Sequence, residues 1–139
     1  MDAGFEITDH TADVGIRAFG PTREDVFEQA ALAMFSQICD PATVKSRDDL
    51  AIVLEAPGDD LLLAAWLNEL LFLFETRRVV FASFALDRVE GGRLWGRARG
   101  EKRNSRRHHI ETTVKAATYH GLELRRADDG WEGTVLLDV

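Results

Sequence analysis

Asp9, His10, Thr11 and Asp13 stand close together near the amino terminus and offer two carboxylates, an imidazole and a hydroxyl. They separate two short runs patterned like buried strands, Phe5-Glu6-Ile7-Thr8 and Val14-Gly15-Ile16-Arg17-Ala18-Phe19. Acidic residues are depleted in strands, so the cluster suits a tight turn or an oxygen-rich site, and an Asx-type turn needs only one Asp. The far end of the chain bears on that choice. Gly133 to Val139 is a strand-like apolar run with Asp138 as its penultimate residue, beside the terminal carboxylate. An aspartate there must reach solvent, pair with a cation or bind a metal, because an unpaired buried carboxylate is very costly. Asp13 and Asp138 with carbonyl oxygens would form a hard-oxygen site, which prefers calcium or magnesium over zinc.

The histidines offer a second set. His10 and His120 with Asp13 would suit zinc or another transition metal, and with it a stand-alone metal-dependent hydrolase. The same two imidazoles serve equally as satisfied structural groups, since nothing in the sequence pairs them on one helix face. His108 and His109 fall in a basic loop and read as solvent residues. Other chemistries lack their motifs: there is no P-loop, no Gly-x-Gly-x-x-Gly, no Gly-x-Ser-x-Gly and no His-Glu-x-x-His. Cys39, the single cysteine, follows a predicted helix and precedes Asp40, an anionic neighbour that disfavours a thiolate; it reads as structural.

One cysteine also excludes an internal disulfide and any multi-cysteine metal cluster, and it fits a reducing compartment. The first residues lack a basic segment followed by an apolar one, and the longest apolar run, Leu61 to Leu67, is far short of a membrane span. A cytoplasmic location is the expectation. At 139 residues the chain reads as a single domain, 1-139, large enough for a proper core. A net charge of −7 argues against holding nucleic acid by bulk charge. The charge is uneven, however. Between Arg93 and Arg107 stand seven basic residues and one acid, Glu101. That segment could dock RNA or an acidic partner, as in an RNA-binding or chaperone module, or simply be a solvated hairpin and loop.

The elements that must position these residues follow in order. Thr22 with Asp25 makes a weak capping box, and Phe27, Ala30, Ala31, Met34, Phe35 and Ile38 recur at helical spacing over about 23–38. Asp40-Pro41 stops that helix. Leu50 to Glu55 reads as a strand closed by Pro57-Gly58. A second helix over roughly 61–77, capped by Asp59 or Asp60, is apolar nearly all round, which predicts burial on most sides. Only Asn68 and Glu69 interrupt it, on an exposed edge or bonded to a neighbouring loop. Val79 to Leu86 should pair with Arg93 to Arg99 across Gly91-Gly92. There Arg93, Trp95, Arg97 and Arg99 share one face, where the arginines cover Trp95 or, less simply, leave it free to stack a base. Lys102 to His109 reads as a flexible basic loop. Thr113 to Leu124 and Gly130 to Val139 are the last extended runs, joined by a turn at 127–130. The pattern predicts an α+β layered domain, a mixed β-sheet with two main helices packed on one face.

Four blocks taken together resemble the archease family: His10 to Gly20, Trp66 to Glu75, Val114 to Leu124, and Gly130-Trp131 through Asp138-Val139. They are long, follow the family's order and span almost the whole chain. Phe19 and Phe72 depart from it, standing where tyrosine is common. The resemblance implies a protein cofactor, not itself an enzyme, for an RtcB-type 3′-phosphate RNA ligase in tRNA splicing. Such a cofactor promotes guanylylation of the ligase and restores its turnover. By the same resemblance the metal-binding and activating residues map onto Asp13 and Asp138, with oxygens near Val139 and with Lys115 as the associated lysine. Ca2+ is the expected ion, with Mg2+ or Mn2+ as substitutes, and tRNA is expected to touch the chain only indirectly or weakly through the 93–107 segment.

Overall fold

The computed structural model describes residues 1–9 and 12–139, and its strands divide between two sheets, each antiparallel throughout. In chain order the elements are β1 (Gly4–Asp9), β2 (Asp13–Gly20), α1 (Arg23–Ile38), β3 (Asp48–Glu55), α2 (Asp59–Thr76), β4 (Val79–Glu90), β5 (Arg93–Lys102), β6 (Ala116–Ala117), β7 (Glu123–Ala127) and β8 (Gly130–Asp138). A single 3₁₀ turn, Pro41–Thr43, follows α1. The first sheet runs β1-β2-β8, with β6 and β7 both pairing with β8; the second runs β3-β5-β4.

The predicted α+β domain with two helices is what forms, but the single mixed sheet is not. Short connections make the antiparallel pairs β1–β2, β4–β5 and β7–β8. α1 then carries the chain from the first sheet into the second. β3 and β4, on either side of α2, would be parallel neighbours if adjacent; β5 inserts between them, antiparallel to both.

Both helices touch both sheets, which explains why α2 has no broad polar face. Every apolar position predicted to face inward from α1 is buried, and the predicted capping box forms, with Thr22 Oγ1 accepting from the Asp25 amide at 3.1 Å. On α2 the cap is Gly58 rather than Asp59 or Asp60, which instead lie in the first turn and place carboxylates at the positive end of the helix dipole. Trp66 is fully buried between the helices and donates its indole N–H to the Phe27 carbonyl at 3.0 Å. That bond removes the cost of burying the one polar atom on a large apolar side chain. The β4–β5 hairpin turns on Gly91 and Gly92, both at positive φ (59° and 74°), and a Cβ on Gly92 would strike the Ala56 carbonyl at 2.3 Å. Two positive φ values in a two-residue turn match the strand twist. Among the described residues no helix is long and apolar enough to cross a membrane.

Two further expectations change. His108 is buried, not solvated, and Glu101 beside it is buried as well. Thr113 to Leu124 is not one extended run: only Ala116–Ala117 and Glu123–Ala127 are strand, separated by a turn with Gly121 at φ 68°. The basic hairpin follows its simpler expectation. Its outer-face arginines are occupied, Arg93 by Glu55, and Arg97 and Arg99 by Asp49, while Arg88 and Arg93 flank the Trp95 ring. Trp95 is covered by arginines.

Candidate functional site

β2 and β8 are the central strands of the first sheet, and their register sets Asp13 directly opposite Asp138. The next pair inward, Val14 and Leu137, is buried against the core, so the two aspartates lie on the opposite, outer face. Directly opposed residues place their Cβ atoms about 4.5–5.5 Å apart. Like charges so placed repel, and the arrangement is favourable only if something positive or protic joins them.

β6 completes the edge. Ala116 pairs with Asp138, the Lys115 amide donates to the Asp138 carbonyl at 2.7 Å, and the Thr118 amide donates to the Leu136 carbonyl at 2.9 Å. These bonds draw Thr118 and His120 to the carboxylate pair. Ala12, Asp13, Thr118, His120, Leu136 and Asp138 line an open cleft of about 310 Å³. Two polar atoms at its base have no hydrogen-bond partner among the described residues, Asp13 Oδ1 and Thr118 Oγ1, and both are shut off from solvent. Asp138 is exposed.

An orphaned carboxylate oxygen, an orphaned hydroxyl and a facing carboxylate are an oxygen donor set that fits a hard divalent cation. Among the described residues no group of three His, Cys, Asp or Glu side chains is spaced to hold a metal ion of any kind. A cation here would rest on the two carboxylates together with hydroxyl and carbonyl oxygens. His10 lies outside the described residues. His120 is exposed and reaches the cleft wall. Val139 follows Asp138 out of the strand, half-buried, with its side chain against the core.

Lys115 is tied to this site by its backbone and not by its side chain. It lines a separate shallow cleft with Asn68, Leu71, Phe72 and Glu75 of α2, and it is exposed. The alternation along the edge strand explains the split: Ala116 and Thr118 fall on the outer face with the aspartates, and Lys115 on the helix side. Thr118 was missed by sequence reasoning, because its place follows from the pairing of β6 with β8, which no local pattern announces.

The comparisons with known proteins decide the family. Residues 5–139 match the archease protein family (MTH1598/TM1083). The chain belongs to the archease family. A relative named protein archease in Methanosarcina barkeri is 42% identical, the match covering 97% of this chain and 95% of the relative. The archease of Pyrococcus furiosus is 35% identical, over 97% and 98% of the two chains. In structure, the chain is similar to protein 1598 of Methanobacterium thermoautotrophicum, solved in solution, with a TM-score of 0.84, 37% identity and 98% and 99% coverage. It also shares the fold of the Thermotoga maritima archease TM1083, described as a possible chaperone, at a TM-score of 0.67, 18% identity and 96% coverage of each chain. Archease membership thus extends over nearly the whole chain, the outer face of β2 and β8 included.

Proposed function

We propose that the protein activates an RtcB-type RNA ligase, acting on the ligase rather than on RNA, and that the β2–β8 edge is the surface it presents. The observation that supports this reading is the facing of Asp13 and Asp138 over an orphaned carboxylate oxygen. Such a pair is unfavourable in an isolated protein and becomes favourable when a cation joins it.

Asp13 and Asp138, with the Thr118 hydroxyl and backbone oxygens near Val139, would hold a divalent ion, Ca2+ ahead of Mg2+ or Mn2+. When bound, that ion supplies positive charge to an oxygen ligand from the partner. Asp13 is the fixed member of the pair, half-buried within a central strand, whereas Asp138 is exposed and free to adjust. Lys115, anchored through its amide to the Asp138 carbonyl, extends an exposed ammonium toward a carboxylate or phosphate of the partner on the adjoining face. Phe72, 59% exposed in the same neighbouring cleft, is the apolar contact of that surface.

The test is RNA ligation with the ligase far below its substrate, with and without this protein, across a calcium titration. Product should accumulate past one turnover only with the wild-type chain, and Asp138→Ala should abolish the stimulation while folding normally. Undiminished turnover with that variant rules the site out. Phosphate or nucleotide release by this chain alone would instead favour a hydrolase built on Asp13 and His120.

A further inference from the structure

We propose that the end of the molecule where the α2–β4 turn meets the loop after β5 binds the phosphate backbone of a nucleic acid. Eight of the seventeen Lys and Arg residues have no carboxylate within 4 Å among the described residues, and six of these gather in this one region. They are Lys45, Arg77, Arg78, Lys102, Arg103 and Arg106, drawn from three separate stretches of chain.

The backbone brings them together. The Arg103 amide donates to the Arg78 carbonyl at 2.7 Å, and Lys102 Nζ donates to the Arg77 carbonyl at 3.0 Å. The Lys45 amide donates to Glu101 Oε2 at 2.8 Å. A cleft of about 400 Å³ opens between Arg47, Lys102, Arg103 and Arg107, and it shares Asp48 and Lys102 with the neighbouring cleft that reaches Arg77. The Arg103 guanidinium lies over the Phe74 ring at 5.4 Å, which limits its freedom before any ligand arrives. Glu101 is buried beneath, its charge already answered by Arg107 at 2.8 Å and Arg47 at 3.6 Å. Asp48 is the acid that remains at the cleft wall without an ion-pair partner among the described residues.

Phosphates suit this surface better than an acidic polypeptide does. Protein interfaces rely on apolar anchors at their centre, and the large exposed apolar residues (Met1, Val53, Leu61, Phe72 and Tyr119) line neither cleft. Backbone phosphates need only cations and N–H donors. A chain of net charge −7 repels nucleic acid elsewhere, which confines contact to this end. The site is not the basic hairpin as a sequence block, because Arg93, Arg97 and Arg99 are already paired with Glu55 and Asp49. It does not require Asp13 or Asp138, so its failure and the failure of ligase activation are separable.

The experiment is fluorescence anisotropy of a labelled single-stranded RNA of about 20 nucleotides, with a DNA strand of the same length alongside, from about 50 to 200 mM salt. Binding should weaken with salt, the logarithmic slope being about −0.7 per phosphate contacted. Arg103→Ala with Arg106→Ala should weaken binding about tenfold or more and lower the slope by about 1.4. Arg77→Gln with Lys102→Gln is an independent pair with the same expected effect, and thermal melts report on folding in both. Arg93→Ala with Arg97→Ala should leave affinity within about twofold. The proposal is overturned if neither strand binds at the lowest salt or if both cleft pairs bind like the wild type. It is equally overturned if polyglutamate of matched charge competes as well as RNA.

Discussion

Asn68 holds both main-chain groups of Ala117, its Nδ2 donating to the Ala117 carbonyl at 3.0 Å and its Oδ1 accepting from the Ala117 amide at 2.9 Å. A side-chain amide thus imitates a neighbouring strand and ties α2 to β6, the two-residue strand that carries Lys115 and Thr118 on its flanks. It is also why an apolar helix tolerates an asparagine in its middle.

Asn68→Ala should therefore cost about 1–3 kcal/mol, since two part-buried backbone groups lose their partners together. Urea unfolding measures the loss. Hydrogen exchange should show the deficit concentrated at the amides of residues 115–118, with α1 unaffected; an even spread over the molecule would argue against the clamp.

Asp138→Asn should raise stability slightly without divalent ions, by about 0.2–1 kcal/mol, because it removes a like-charge pair from directly opposed positions. Added calcium should raise the melting temperature of the wild type and leave this variant unmoved, as expected of an ion that binds only the folded chain. Differential scanning calorimetry with and without calcium makes both comparisons.

Glu101 should govern the acid limb of stability. Its carboxyl is held down to about 2, from an ordinary 4.5, by the Lys45 amide first, then by the Arg107 and His108 side chains. The unfolded chain therefore takes up the proton at a higher pH than the folded one. The contribution is complete above about 4.5 and is lost as pH falls through about 2. Replacing Glu101 with Gln should flatten melting temperature against pH across that window; an unchanged acid limb would mean the network contributes nothing there.

Glu28 should behave with the opposite sign. Burial pushes its carboxyl above 4.5, although the Leu86 amide donates to it at 2.8 Å where β4 bulges between Leu86 and Arg88. A raised folded value means stability present below about 4.5 and diminished as pH rises through that higher value. Glu28→Gln keeps an acceptor for the amide, so it should melt higher than the wild type at pH ~7 and converge with it near pH ~4. Melts at the two pH values decide it.

Much of this molecule is legible along the chain because it is written in local contacts. The spacing of Phe27, Ala30, Met34 and Ile38 marks one side of α1, Thr22 and Asp25 mark its start, and Gly91-Gly92 marks a hairpin whose turn demands positive φ. Those signals act within a few residues and need nothing from the rest of the fold. Asn68 and Asp138 were legible only as anomalies, polar groups in apolar runs that had to find partners somewhere.

Where those partners lie is a property of pairing between distant segments. The facing of Asp13 and Asp138, the arrival of Thr118 beneath them and the turning of Lys115 to the other side all follow from the registers of β8 with β2 and β6, and a slip of one residue would reverse each. His108 looked solvated because its sequence neighbours are charged, yet Glu101 draws it inside through a 3.1 Å hydrogen bond. The same holds for the cationic end: residues 45, 77, 78 and 102–106 become one surface only when α2, β4 and β5 meet. Composition and periodicity determine which side of each element is buried; cross-strand register, which no local pattern encodes, decides which residues become neighbours.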